Sequence, residues 1–126
     1  DRAWNTMVIG MGRLGRAVVS YPGFAPEGFN IVAAFDADDS IVGETVSGLD
    51  IQSISDLAKT VKEKDIKIGI VTVPIEHAQE VIDTLVDAGI KSILNYAPLS
   101  PKVPEGVTVR GIDPVLSLQS MTYYIS

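Results

Sequence analysis

Apolar positions along the chain fall into two alternating rhythms. Short runs of apolar, often β-branched residues recur at Thr6-Met7-Val8-Ile9-Gly10, Phe29 to Phe35 (FNIVAAF), Ile68 to Val73 (IGIVTV), Ser92 to Asn95 (SILN) and Val107-Thr108-Val109. Near-continuous apolar runs of this length read as strands buried on both faces. Between them apolar residues recur at spacings of three and four. Arg13 to Ser20 reads as a helix with Leu14, Ala17 and Val18 on its inward face, stopped by Tyr21-Pro22-Gly23. Ser55 to Glu63 reads as a helix capped by Ser55, with Leu57 and Val61 inward. Pro74 opens a helix that runs to about Ala88, with Ile75, Ala78, Ile82, Leu85 and Val86 inward and Gly89 just past its end. Residues 96–106 form a Pro-rich connection, and Asp113 can cap a last helix with Pro114 at its first position. Strands alternating with helices predict an α/β domain, a mostly parallel sheet with helices on both faces. Ligands of such sheets bind beyond the carboxyl ends of the strands. The positions to inspect are therefore 10–15, 36–38, 73–76 and 95–98.

The first of these holds Gly10-Met11-Gly12-Arg13-Leu14-Gly15, a G-x-G-x-x-G. Gly10 permits the tight turn out of the strand, Gly12 lets a pyrophosphate approach the backbone, and Gly15 lets helix and strand pack closely. Free amides and the helix dipole then favour an anion there. An acid, Asp36, closes the next strand 21 residues beyond Gly15, near the spacing expected for a ribose-binding carboxylate. Strand, glycines, helix and acid together indicate a Rossmann-type, doubly wound domain that binds a dinucleotide. The alternative is a tight turn with no ligand. Asp36 favours NAD over NADP, because a carboxylate repels a 2′-phosphate. Asp38 is a further candidate, or part of a solvated turn with Asp39. The same negative field weighs against coenzyme A, whose ribose carries a 3′-phosphate.

Composition narrows the classes. The chain has 126 residues, 46% of them hydrophobic and 21% charged, which is the make-up of one globular domain. Net charge is −6, and the Lys59, Lys62, Lys64, Lys67 cluster alternates with Glu63 and Asp65. Phosphate backbones repel such a surface, so this domain alone is not expected to bind DNA. Cysteine is absent, which excludes disulfides and thiolate metal sites. No apolar run approaches the ~18–20 residues of a membrane span. A cytoplasmic location without membrane association is expected. The start, Asp1-Arg2-Ala3-Trp4, carries neither a leader pattern nor an initiator Met, as expected of a piece of a longer protein.

Catalytic machinery is sparse. The single histidine, His77, falls on the polar face of its helix with Glu80, Thr84 and Asp87 and is expected to be solvent-exposed. Lys91 and Lys102 stand alone. Tyr96 follows a strand and could reach a nicotinamide, or pack. No enzyme activity is expected; a cofactor site without an acid–base group suits a sensor. In the last helix Val115, Leu116, Leu118, Met121, Tyr123, Tyr124 and Ile125 point in too many directions for one apolar stripe. The extra face needs either a two-fold partner or a further part of the same chain.

The segments GMGRLGRAVVSYPGF, AFDAD, VTVP, ILNYAP, VPEGVTV and LQSMTYY occur in this order over essentially the whole chain. They resemble the family of redox-sensing transcriptional repressors called Rex. The resemblance implies a homodimer with an N-terminal winged-helix domain and a C-terminal Rossmann domain that reports the NADH/NAD⁺ ratio. NADH then closes the dimer and releases operator DNA. It implies residues 1–112 as the NAD(H)-binding domain and residues 113–126 as a helix exchanged between protomers, with DNA bound only through the winged helix. It assigns Gly10 to Gly15, including Met11, Arg13 and Leu14, to the pyrophosphate and Asp36 to the adenine ribose. Val73, Pro74, Asn95, Ala97 and Pro98 would line the nicotinamide end. Tyr21 and Asp113 would sense redox state at a dimer interface that includes Pro114, Leu118, Met121 and Tyr124. Pro114 departs from relatives that carry a bulky apolar residue there. An apolar lining penalises the charged oxidised ring, so NADH is the preferred form. Two other functions remain open: the cofactor domain of an NAD-dependent dehydrogenase, and a CoA-binding domain of the succinyl-CoA synthetase type.

Overall fold

A computed structural model describes residues 3–112. In chain order they form β1 (Trp4–Ile9), α1 (Arg13–Ser20), β2 (Phe29–Asp36), β3 (Thr45–Val46), β4 (Leu49–Ser53), α2 (Leu57–Glu63), β5 (Ile68–Val71), α3 (Ile75–Asp87), β6 (Ser92–Asn95) and β7 (Thr108–Gly111). The seven strands make one sheet in the order β3-β4-β2-β1-β5-β6-β7, parallel except for the antiparallel β3–β4 pair. Strand order reverses at β1, with β2 on one side and β5 on the other. The mostly parallel, helix-covered sheet read from the sequence is the observed fold.

Successive residues of β1 serve opposite faces, as the pleat requires. Met7 and Ile9 join Phe35, Leu57, Val61, Ile82 and Leu85 in the core beneath α2 and α3. Val8 joins Met11, Val18, Val19, Ala34, Ile51 and Ile70 beneath α1. Among the described residues α1 is the one α-helix on that second face. An apolar groove of about 250 Å³ stays open beside it, lined by Thr6, Phe24, Phe29, Ile31, Ile68, Ile70 and Leu94.

Several local expectations are corrected. The buried face of α1 is Gly15, Val18 and Val19, whereas Leu14 is 45% exposed and Ala17 is exposed. Gly15 must face the Gly10 carbonyl just beyond β1, where no side chain fits, and that requirement rotates the helix away from the apolar stripe. Ile75 is likewise exposed, and Val81 takes the inward place with Ala78, Ile82 and Leu85. Pro74 is the N-cap and not the first helical residue. Ser55 does not cap α2. Ser53 accepts a hydrogen bond from the Ser55 amide at the head of a 3₁₀ turn, Ile54–Asp56, that leads into α2. The β3–β4 hairpin was not anticipated; its turn is Ser47-Gly48, both at positive φ (49° and 81°), as a two-residue hairpin loop needs.

Candidate nucleotide-binding site

The three glycines after β1 have different reasons to be glycine. Gly10 sits at φ +102°, and a Cβ there would come within 2.7 Å of Val73 Cγ1 and 2.9 Å of the Thr72 carbonyl carbon. A Cβ on Gly15 would overlap the Gly10 carbonyl oxygen. Both are demands of the fold. Gly12 is otherwise: its φ of −75° suits any residue, and a Cβ would meet nothing within 4 Å. Gly12 borders an open cleft at the N-terminus of α1, where helix amides lack internal partners. The space kept free of a side chain is therefore space the fold does not use. That is how a site for a diphosphate should look.

The loop is braced on every side. Asp36 Oδ2 accepts a hydrogen bond from the Met11 amide at 2.7 Å, and Oδ1 accepts one from the Asp38 amide at 2.8 Å. An ionised carboxylate offers about four acceptor positions, so Asp36 keeps capacity for a ribose diol. The Thr72 hydroxyl lies 2.7 Å from the Gly10 carbonyl and 3.0 Å from that of Ile9. Met11 buries its side chain completely beneath α1. Asp38 lies on an exposed turn outside the cleft lining. Its Oδ1 accepts from the Ser40 hydroxyl at 2.7 Å and the Ser40 amide at 2.9 Å. The hydroxyl first, and the amide second, hold its carboxyl below the ordinary 3.8.

The cleft encloses about 650 Å³ at the carboxyl edge of β1, β2 and β5, where the strand order reverses. It brings together Gly10, Gly12, Arg13, Leu14, Asp36, Val73 and Pro74 from the sequence candidates. Ala37, within the span 36–38 marked by the sequence, lines it too; Ile9, Ile54, Thr72, Val81 and the α3 stripe His77, Glu80 and Thr84 complete it, and these were not foreseen as lining. The stripe had a signal: polar residues at i, i+3 and i+7 on a helix that starts at a strand end. His77 is exposed, as expected, yet it borders the cleft.

Asn95, Tyr96, Ala97 and Pro98 are not brought into this lining. They stand at the next strand end, Asn95 closing β6 and the other three following it. Asn95 is fully buried and turns inward: its amide donates to the Ala97 carbonyl at 3.0 Å, and its oxygen accepts from the Ala97 amide at 3.0 Å. It shapes the loop from below. Tyr96 is partly buried on the α1 side, and Pro98 is exposed. Tyr21 is 57% exposed at the end of α1, its ring in edge contact with Phe24 at 4.9 Å between centroids. Asp113, Pro114, Leu118, Met121 and Tyr124 lie outside the described residues. Among the described residues no group of acidic and histidine side chains could hold a metal ion, and no helix is long and apolar enough to cross a membrane.

Residues 1–99 match the family model described as the CoA binding domain. The chain belongs to the CoA-binding domain family. The curated relatives it matches include Rex proteins. The redox-sensing transcriptional repressor Rex of Chloroflexus aurantiacus is 48% identical over 123 residues, which are 98% of this chain and 58% of that protein. The crystal structure of RSP, a Rex-family repressor, in complex with β-NADH matches with a TM-score of 0.91 at 33% identity, over 99% of this chain and 61% of that one. RSP bound to β-NAD⁺ and operator DNA matches with a TM-score of 0.89 at 33% identity, over 99% of this chain and 58% of that one. The Rex resemblance read from the sequence motifs is thus met by homologues over nearly the whole chain. The chain spans about three fifths of the length of these relatives.

Proposed function

We infer that this chain is the NADH/NAD⁺-sensing core of a Rex-like transcriptional repressor, without enzyme activity of its own. The observation that carries the reading is Gly12, the one glycine of the motif that the fold itself does not require, set beside Asp36 at the mouth of the cleft. In this reading the Gly12 and Arg13 amides and the dipole of α1 hold the diphosphate. Asp36 accepts the adenine ribose hydroxyls. Ala37, Ile54 and Val81 give the adenine an apolar slot. Asp38 adds negative field at the ribose edge and sets the turn beside it. Val73 and Pro74, with Ala97 and Pro98 on the neighbouring loop, offer the nicotinamide an apolar surroundings that Asn95 and Tyr96 shape. Such surroundings penalise the cationic oxidised ring and favour NADH. The ligand supplies the redox signal; the protein only distinguishes its two charge states. Coenzyme A and NADP place a phosphate where Asp36 stands, so both bind poorly here.

The working unit is a homodimer in the cytoplasm. Leu14 and Ala17 on α1 and Tyr21 at its C-cap form an exposed apolar stripe. The open groove on the same side of the sheet suits residues 113–126 of a second copy, with Leu118, Met121 and Tyr124 as its anchors. Asp113, Pro114 and Tyr21 belong to this interface. In the complete protein NADH closes the dimer, and a winged-helix domain then releases operator DNA.

The test is a calorimetric titration with NADH, NAD⁺, NADPH and CoA, with the mass in solution measured alongside. Tight NADH, weaker NAD⁺, negligible NADPH and CoA, and a dimer mass are expected. Equal NAD⁺ and NADH affinity on a monomer would point to a dehydrogenase domain, and CoA binding would overturn the role given to Asp36.

A further inference from the structure

The peptide between Met11 and Gly12 is held from outside the cleft by a side chain that does not line it. Arg16, on the first turn of α1, donates from Nε to the Met11 carbonyl at 3.0 Å and from Nη2 to Glu44 Oε1 at 2.9 Å. Glu44 is itself anchored: its amide donates to the Ile41 carbonyl at 3.1 Å, and its carbonyl accepts from the Ile51 amide at 2.8 Å. We propose that Arg16, aimed by Glu44, is a positioning residue for the diphosphate, keeping the Met11 carbonyl turned out of the cleft and the Gly12 amide turned into it. The proposal rests on the diphosphate reading given above.

The need for such a strap follows from Gly12. A peptide plane flips when ψ of the residue before it and φ of the residue after it both change. An L side chain at position 12 would resist the positive φ of the flipped form, but glycine does not. Clearing the cleft of a Cβ therefore also frees this peptide to turn over. Turned over, it points a carbonyl oxygen at the incoming anion and withdraws an amide. The neighbouring peptide is secured otherwise, by Asp36 on the Met11 amide and by Thr72 at the Gly10 carbonyl. Among the described residues, the Arg16 bond is the one hydrogen bond on the Met11–Gly12 peptide. A guanidinium suits the task because its planar fork reaches a carbonyl and a carboxylate together, which an ammonium on a flexible stem does far less well. As an ion pair the contact contributes little to the fold, since the Arg16 and Glu44 side chains are 37% and 49% exposed.

The experiment uses the 126-residue chain with Arg16→Ala, Arg16→Lys and Glu44→Gln, titrated with NADH and with adenosine, which lacks the diphosphate. Melting temperature and the ¹⁵N amide resonance of Gly12 are recorded for each. Arg16→Ala is expected to weaken NADH about tenfold, the worth of one charge-assisted hydrogen bond. Adenosine affinity and melting temperature should hold, and the Gly12 resonance should broaden or double. Arg16→Lys should show most of the same loss, and Glu44→Gln a smaller one. NADH affinity within twofold of the parent in Arg16→Ala overturns the proposal. So does an equal loss of adenosine, or full recovery by lysine, which would leave charge alone as the cause. A parent chain that binds no NADH refutes the diphosphate reading itself, before any variant is made.

Discussion

Replacing Gly12 by alanine separates the demands of the fold from those of the ligand. The backbone at Gly12 has φ −75° and ψ −159°, within reach of an alanine, and the added methyl meets no protein atom within 4 Å. Gly12 is the N-cap of α1 without a side-chain capping bond, and glycine and alanine differ there by at most about 1 kcal/mol. Melting should therefore change by only a few degrees. The methyl would instead stand in the cleft, where the diphosphate has to come within hydrogen-bonding distance of the loop amides. Losing two charge-assisted hydrogen bonds at about 1.5–3 kcal/mol each costs about 3–6 kcal/mol, or at least a hundredfold in affinity. Calorimetry with NADH gives the affinity, and a thermal melt of the same sample gives the fold. A Gly12→Ala chain that melts like the parent and binds NADH within threefold of it would refute the reasoning.

The companion change Gly15→Ala should fail differently, because its Cβ overlaps the Gly10 carbonyl oxygen; a large loss of melting temperature is expected, and an unchanged melt would contradict the packing given for α1. Asn95→Ala removes the partner of the buried Ala97 amide and one of the two donors to the Ala97 carbonyl, and should cost about 2–4 kcal/mol in urea unfolding, from the unpaired amide and the void left behind. Asp36→Ala should weaken NADH while narrowing the gap to NADPH about tenfold or more, since the charge that repels a 2′-phosphate is gone; competitive titration reads the ratio. Asp38 has a folded value below 3.8, so its turn is held at pH above 3.8 and released as pH falls through the lowered folded value. Ser40→Ala removes the larger cause and should move the Asp38 titration, followed by NMR, upward toward 3.8.

Much of this arrangement was legible before the fold was known, and the gaps have physical causes. The central parallel strands β1, β2 and β5 were readable because each is apolar on both faces, so no periodicity had to be resolved beyond length. The glycine loop and Asp36 were readable because steric need ties them to fixed spacings. The hairpin of β3 and β4 escaped because one residue in it, Ile51, is fully buried, which leaves little hydrophobic signal in Leu49–Ser53. The turn at Ser47-Gly48 was the available cue. The hydropathy pattern of α1 does not give its rotation, because glycine carries no hydropathy, yet Gly15 decides which side faces the sheet. The sequence pattern ranked Leu14 and Ala17 as core when they are surface, and Leu14 borders the cleft instead. In the cleft, Ile54 and Val81 had no local signature, since their place depends on how β4 and α3 converge. Arg16 had none either, because its partners Met11 and Glu44 are set by the turn of the loop and by the unforeseen hairpin.

In the binding mode proposed above, the amides at the head of α1 hold a diphosphate whose ribose rests on Asp36. A crystal structure of the chain grown with NADH tests it most directly. Diphosphate oxygens are expected within about 3 Å of the Gly12 and Arg13 amides, and ribose hydroxyls on the Asp36 carboxylate. A dinucleotide lying elsewhere on the chain, or a diphosphate turned away from Gly12, would contradict it.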